Sequence, residues 1–185
     1  RRIAEHMARS VAVAPHVTTV FEADLTRVSE HRRQFPELTL SAYFVAAAVA
    51  GLLAVPEVNS SFHADHLELH ADCNIGVATA LGNEGLIVPV IHRAQALDLA
   101  GIARQLQVLV AAARAGTLSP EAVRGGTFTI SNHGVSGSLL AAPIIINQPQ
   151  VAILGAGKLQ RRVVVQEIDG KEVQRVRSMC YLTLT

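Results

Sequence analysis

A strand-like run ending in a hydroxyl, an amide and a glycine is the feature of this chain best suited to chemistry. Residues 126–134 read Gly-Thr-Phe-Thr-Ile-Ser-Asn-His-Gly. Their β-branched and aromatic side chains favour an extended strand. Ser131 falls at the strand's end, where its oxygen can face a cleft. A hydroxyl so placed can donate a hydrogen bond to charge developing on a carbonyl oxygen. Taken alone, Ser-Asn-x-Gly also suits an ordinary turn, the commoner use of that string.

Other groups invite weaker readings. His63, His66 and His70 fall within eight residues. On a strand His66 and His70 would share a face and His63 would not. A zinc site needs three or four converging ligands, so these histidines are expected on the surface of a hairpin, with no metal. Gly125-Gly126 precedes a strand, and Gly155-Ala156-Gly157 is followed by β-rich sequence. Neither has the helix behind it that lets a glycine loop bind phosphate. His133 beside Ser131, and His16 after Pro15, are candidate bases by residue type. A lone histidine is more often structural or on the surface. Cys73 and Cys180 lie far apart in apolar stretches and are expected to be buried, reduced thiols.

The elements that must position Ser131 follow from periodicity. Residues 1–13 carry helical spacing that Pro15 stops. Residues 16–25 alternate as a strand, and Thr26 can cap a short helix. Ser41 opens a helix to about Ala54 that is apolar nearly all round, so burial on more than one side is expected. Residues 59–72 suit a turn and a short hairpin. Residues 74–81 and 86–92 are strands about a turn at residues 82–85. Asp98 can cap a helix to Ala115, with Leu99, Ile102, Ala103, Leu106, Leu109 and Val110 on one stripe and Gly116 at its end. Strands are then expected at residues 127–131, 151–154, 161–168, 172–177 and 179–185. Asp169-Gly170 is a hairpin turn. Strands mixed with a few long helices predict one α/β domain over residues 1–185, a mixed sheet covered on one face by helices.

Composition narrows the function. The chain has 185 residues, half of them hydrophobic, and a net charge of +1. That apolar share excludes disorder and suits burial against other copies of the chain. Aromatic residues make up 4%, Trp is absent, and no long basic run occurs. Nucleic-acid modules usually carry a basic face or stacking aromatics, so no nucleic-acid partner is expected. The longest apolar run, residues 42–55, is too short to span a bilayer, and residues 1–12 do not read as a signal peptide. A soluble, intracellular protein with no membrane partner is the expectation.

Several segments, taken in order, carry a resemblance. Residues 126–134 are followed by Pro143-Ile144-Ile145-Ile146-Asn147-Gln148-Pro149-Gln150-Val151-Ala152-Ile153-Leu154-Gly155. This pair resembles the acyltransferase core of the dihydrolipoamide acyltransferases of 2-oxoacid dehydrogenase complexes. Gln148 stands where that family usually has proline. Arg2-Ile3-Ala4-Glu5-His6-Met7-Ala8-Arg9-Ser10 and Pro15-His16-Val17-Thr18 resemble its opening helix and strand. Pro56-Glu57-Val58-Asn59-Ser60-Ser61 resembles its Pro-x-x-Asn-Ala turn, and residues 74–78 and 85–91 its central hairpin. The resemblance covers nearly the whole chain, and only the stretch from Glu30 to Thr39 looks short for the family.

The resemblance implies a chloramphenicol-acetyltransferase-like fold and acyl transfer between dihydrolipoamide and coenzyme A. Both thiols are substrates, and no metal is implied. Ser131 would stabilise the oxyanion; the residues that hold coenzyme A stay unassigned. The family follows its last strand with Asp-His-Arg-x-x-Asp-Gly. Residues 179–185 match that strand, so the general-base histidine and its orienting acid are expected outside residues 1–185. The implied assembly is a homotrimer that builds a larger core. Its implied partners are lipoyl domains, the decarboxylase and dihydrolipoamide dehydrogenase, in the bacterial cytoplasm or the mitochondrial matrix. Two alternatives remain open: an oligomeric core module without activity, and an O-acetyltransferase of the same fold. The opening and Ile-Asn-x-Pro-Gln segments favour the dehydrogenase-complex side.

Overall fold

The computed structural model of the chain describes residues 2–82 and 85–185. The turn expected at residues 82–85 thus has Asn83 and Glu84 outside the described residues. Four α-helices appear among the described residues: α1 (Arg2–Val13), α2 (Thr26–Gln34), α3 (Leu40–Ala54) and α4 (Leu99–Arg114). The strands are β1 (Thr19–Asp24), β2 (Ser60–Phe62), β3 (Leu67–Leu69), β4 (Ile75–Val77), β5 (Thr79–Ala80), β6 (Leu86–Ile87), β7 (Val90–Ile91), β8 (Phe128–Asn132), β9 (Ile153–Ala156), β10 (Gln160–Ile168) and β11 (Lys171–Leu184).

Seven strands form one mixed sheet in the order β1-β11-β9-β8-β4-β7, with β10 also paired to β11. The β4–β8 and β8–β9 pairs are parallel; the other pairs in this sheet are antiparallel. One face packs on α3 and α4. Val45, Ile75, Ile102 and Ile130 are almost fully buried in that core. Each such side chain stabilises the fold by about 1.5–3 kcal/mol relative to exposure.

Local signals set the ends of α4. The Asp98 carboxylate accepts from the Gly101 N–H at 2.6 Å, and Gly116 takes the left-handed conformation (φ +68°) just past the end. Helix α3 starts one residue before Ser41, with Thr39 as its cap, accepting from the Ala42 N–H. It packs on the sheet and on α4, and leaves Ala47, Ala50 and Leu53 in water. Thr26 is not a cap. Its hydroxyl accepts from the Ser178 N–H, while Asp24 accepts from the Thr26 N–H.

Two expected strands break, and two others fuse. The 74–81 and 86–92 runs split into β4/β5 and β6/β7. Pro89 has no N–H to donate to a ladder. Val77 still donates to the Pro89 carbonyl, but Ala78 donates instead to Ile130. The hairpin therefore divides: β4–β7 stays in the main sheet and β5–β6 pairs apart from it. The runs at 172–177 and 179–185 join as β11, because Ser178 interrupts neither alternation nor pairing. Asp169 and Gly170, both with positive φ, close the β10–β11 hairpin as expected.

Candidate active site

Strand β8 sorts its side chains by pleat. Phe128 and Ile130 enter the helix-side core. Thr129 and Ser131 therefore face the other side of the sheet. Ser131 pairs with Gly155 of β9, and it is partly buried. Among the described residues its hydroxyl has no hydrogen-bond partner, so it can donate to a ligand. A Cβ at Gly155 would collide with Thr183 Oγ1 and Ile144 Cδ1, so only glycine allows this packing beside Ser131.

The segment from Pro143 to Gln150 lies over that same face. Gln150 is 3% exposed. Its Oε1 accepts from Thr129 Oγ1 at 2.7 Å and its Nε2 donates to the Gly126 carbonyl at 2.9 Å. Burying an amide is costly unless both ends are bonded, and here both are. The opening helix clamps the segment from outside. Ser10 Oγ donates to the Ile146 carbonyl at 2.6 Å. His6 Nε2 donates to Asn147 Oδ1 at 3.1 Å. The Ile146 N–H donates to His16 Nε2 at 3.0 Å. Three segments that stand far apart in the chain thus meet on the sheet face that Thr129 and Ser131 share. A cavity of about 170 Å³, lined by Gly76, Val88, Val90, Thr129 and Gln150, opens on this face one pleat from the serine.

The ring nitrogens of both candidate bases are engaged or buried. His16 Nδ1–H donates to the Ala14 carbonyl at 2.6 Å while Nε2 accepts from Ile146. Both nitrogens are engaged with backbone groups, which makes His16 structural. Both ring nitrogens of His133 are buried without a partner. Burial holds this imidazole below its ordinary 6.5, and a Ser138 backbone group beside the ring, outside hydrogen-bond geometry, opposes the shift. His133 Nε2 lies 3.5 Å from where a Gly155 Cβ would stand, packed on the sheet rather than open to a thiol.

His63, His66 and His70 do not converge on one point. His63 bonds Glu68 at 3.2 Å, His66 bonds Asp65 at 2.7 Å, and His70 bonds Ser61 at 2.8 Å. His66 and His70 flank β3, and the expected separation of His63 from them fails, because the hairpin returns His63 opposite His66. Instead the His63 and His66 rings stack with centroids 4.6 Å apart. Among the described residues no group of three or more His, Cys, Asp or Glu could hold a metal ion. Cys73 and Cys180 are free and buried, and burial pushes both thiols up. Among the described residues no helix is long and apolar enough to cross a membrane.

The structure is thus a mixed sheet with helices on one face and an unbonded serine hydroxyl at the end of a central strand. A chloramphenicol acetyltransferase superposes with a TM-score of 0.60 at 11% identity, covering 97% of this chain and 83% of that one, which bears on the fold alone. The family model for the 2-oxoacid dehydrogenases acyltransferase (catalytic domain) matches residues 1–185, and the chain belongs to that family. It is 38% identical to the succinyltransferase component of the 2-oxoglutarate dehydrogenase complex of Rickettsia conorii, over 100% of this chain and 48% of that protein. It is 37% identical to the acetyltransferase component of the pyruvate dehydrogenase complex of Mycobacterium bovis, over 100% and 35%. The chain therefore spans between a third and a half of the length of these curated relatives.

Solved structures agree. A probable dihydrolipoamide acetyltransferase from Listeria monocytogenes superposes with a TM-score of 0.90 at 36% identity, covering 99% of this chain and 80% of that one. An Azotobacter vinelandii dihydrolipoamide acetyltransferase, studied for the catalytic roles of a serine, a histidine and an asparagine, gives 0.89 at 31%, covering 99% and 77%.

Proposed function

We propose that this chain transfers an acyl group between dihydrolipoamide and coenzyme A, as the catalytic domain of the core component of a 2-oxoacid dehydrogenase complex. The observation that carries this reading is the Ser131 hydroxyl: partly exposed, unbonded, and at the end of the central strand β8. Membership of the family supports it, as does the study of a serine and a histidine in the Azotobacter vinelandii enzyme.

The reaction exchanges one thioester for another. A base takes the proton of the attacking thiol, a task suited to imidazole near neutral pH. The thiolate adds to the thioester carbon, and the carbonyl oxygen becomes an oxyanion. Ser131 donates its hydroxyl hydrogen to that oxygen. The carbonyl then reforms, the second thiolate leaves, and it recovers the proton. No electrons are gained or lost, so coenzyme A and the lipoyl group enter as substrates. By family resemblance, the base would be the histidine of the Asp-His-Arg-x-x-Asp-Gly motif rather than a histidine described above. His16 is committed to backbone bonds and His133 is sealed, which supports that assignment.

Residues 1–185 are read as one acyltransferase domain that assembles as a homotrimer within a larger core. Its partners would be lipoyl domains, the decarboxylase and dihydrolipoamide dehydrogenase, in the bacterial cytoplasm or the mitochondrial matrix. Surface chemistry supports self-association. Edge strand β1 exposes Val20 and Phe21 on its two faces, and the β10–β11 ribbon exposes Val163, Val165 and Val176. The test is transfer from acetyl-, succinyl- and branched-acyl-dihydrolipoamide to coenzyme A by the full protein. Turnover with one of these supports the reading; inactivity with all three under saturating coenzyme A overturns it.

A further inference from the structure

Ser131 sits where β8 loses one of its two neighbours. On one edge, β9 pairs with β8 from Thr129 to Asn132. On the other, β4 pairs only from Phe128 to Ile130. The last hydrogen bond on that edge runs from the Ala78 N–H to the Ile130 carbonyl at 2.9 Å. Beyond it, the backbone of Ser131 and Asn132 is held by β9 alone. An oxyanion donor must nevertheless keep its place to within about 0.5 Å.

A side chain supplies the missing hold. Asn132 Nδ2 donates to Ser41 Oγ at 3.0 Å, across 91 positions of sequence. By the pleat of β8, Asn132 faces the helices while Ser131 faces away. Ser41 lies in the first turn of α3, between the Thr39 cap and the buried Ala42, Phe44 and Val45. Both members of the bond are partly buried, so water competes less for it than at an open surface. The bond therefore ties the residue after Ser131 to a helix that is itself fixed in the core.

We propose that Asn132 and Ser41 are a positioning pair. Their hydrogen bond grips the free edge of β8 from the helix side and so holds the Ser131 hydroxyl at the oxyanion on the other. Neither residue touches substrate. This rests on the reading of Ser131 as the oxyanion donor, and the experiment separates the two.

In the full protein, Asn132→Ala and Ser41→Ala should each lower kcat by about 10- to 100-fold, the cost of a small misplacement of a catalytic group, with KM little changed. Ser41→Thr, which keeps the acceptor oxygen, should restore most of the turnover lost in Ser41→Ala. On a Ser131→Ala background there is no hydroxyl left to position. There Asn132→Ala should lower turnover by no more than about twofold, because residues that act as a unit are not additive. Equal losses in both backgrounds would overturn the proposal, since a general structural role adds independently. Ser41→Ala lies away from β8 and keeps the question answerable if Asn132→Ala fails to fold. Amide hydrogen exchange isolates the tether itself. Residues 131–133 should exchange about tenfold faster in Ser41→Ala, as expected for a locally opened segment, with β9 unchanged. Unchanged exchange overturns the tether whatever the activity. Faster exchange together with normal turnover of Ser131→Ala overturns the oxyanion reading, and with it the catalytic purpose of the pair.

Discussion

Replacing Ser131 by alanine separates chemistry from folding more cleanly here than at most sites. The hydroxyl makes no hydrogen bond among the described residues, so its removal breaks none. The side chain faces away from the helix-side core that Phe128 and Ile130 fill, so no cavity opens there. An ordinary turn serine would lose about 1 kcal/mol on truncation. Here we expect less than about 0.5 kcal/mol, the range of substitutions away from such features, and an unfolding midpoint within about 1–2 °C of the parent. Catalysis should respond differently. Charge on the carbonyl oxygen is small in the bound thioester and large in the tetrahedral intermediate, so the hydroxyl acts mainly in the transition state. Loss of one such donor lowers kcat by about 100- to 1000-fold, or about 2.7–4 kcal/mol. The assay is initial-rate acyl transfer to coenzyme A by the full protein, with KM for both thiols and a thermal melt of each sample. A folded variant with near-normal kcat would refute the reasoning outright. A large rise in KM with kcat intact would show that Ser131 binds ground state and transition state alike.

His133→Leu should leave turnover within about twofold and hold or raise stability by about 1 kcal/mol, because it removes two buried nitrogens that lack partners; a tenfold fall in kcat would make His133 catalytic. Its imidazole is held below the ordinary 6.5, so below that pH the unfolded chain binds the proton more readily than the folded one. Parent stability should thus be full above pH 6.5 and fall as pH drops below it, and His133→Leu should flatten that fall in urea titrations at stepped pH. Gly155→Ala should cost about 1–3 kcal/mol through overpacking against Thr183 and Ile144, and Thr183→Ala should restore part of the midpoint; an unchanged midpoint in the single variant would show that the site yields freely. The exposed valines of β10 and β11 should be covered by another copy, so light scattering should find an oligomer that persists on dilution, and a concentration-independent monomer would sink that claim.

Much of the fold was legible because its signals are local. Asp98 and Gly116 bracket α4, and Asp169-Gly170 closes its hairpin; each acts over a few residues, which is the range that propensity and turn chemistry reach. What escaped was set from a distance. Thr26 reads as a cap until Ser178, 152 positions away, claims its hydroxyl. The 74–81 run reads as one strand until the Ala78 N–H turns to Ile130 on a neighbouring strand. Only the proline at 89 hinted at the second break, and the lack of any breaker at Ser178 was the available sign that β11 runs through.

The site divides along the same line. Ser131 could be picked out because a strand of β-branched residues ends there, and family resemblance then favoured the oxyanion reading over the turn. Nothing in the string reveals that His6, Ser10 and His16 hold the segment that crosses the same face of the sheet. Their spacing is that of an amphipathic helix and the turn after it, yet all three bond the backbone or amide of Ile146 and Asn147, at separations of 130 to 141 positions. These bonds tie the opening motif to the Ile-Asn-x-Pro-Gln motif: each satisfies polar groups that the other would leave unpaired. The Asn132–Ser41 bond extends that logic to the helix face. Ser131 is thereby backed on its own face by a clamped loop and gripped from the opposite face through its neighbour. A hydroxyl without a hydrogen bond of its own depends on both for its position.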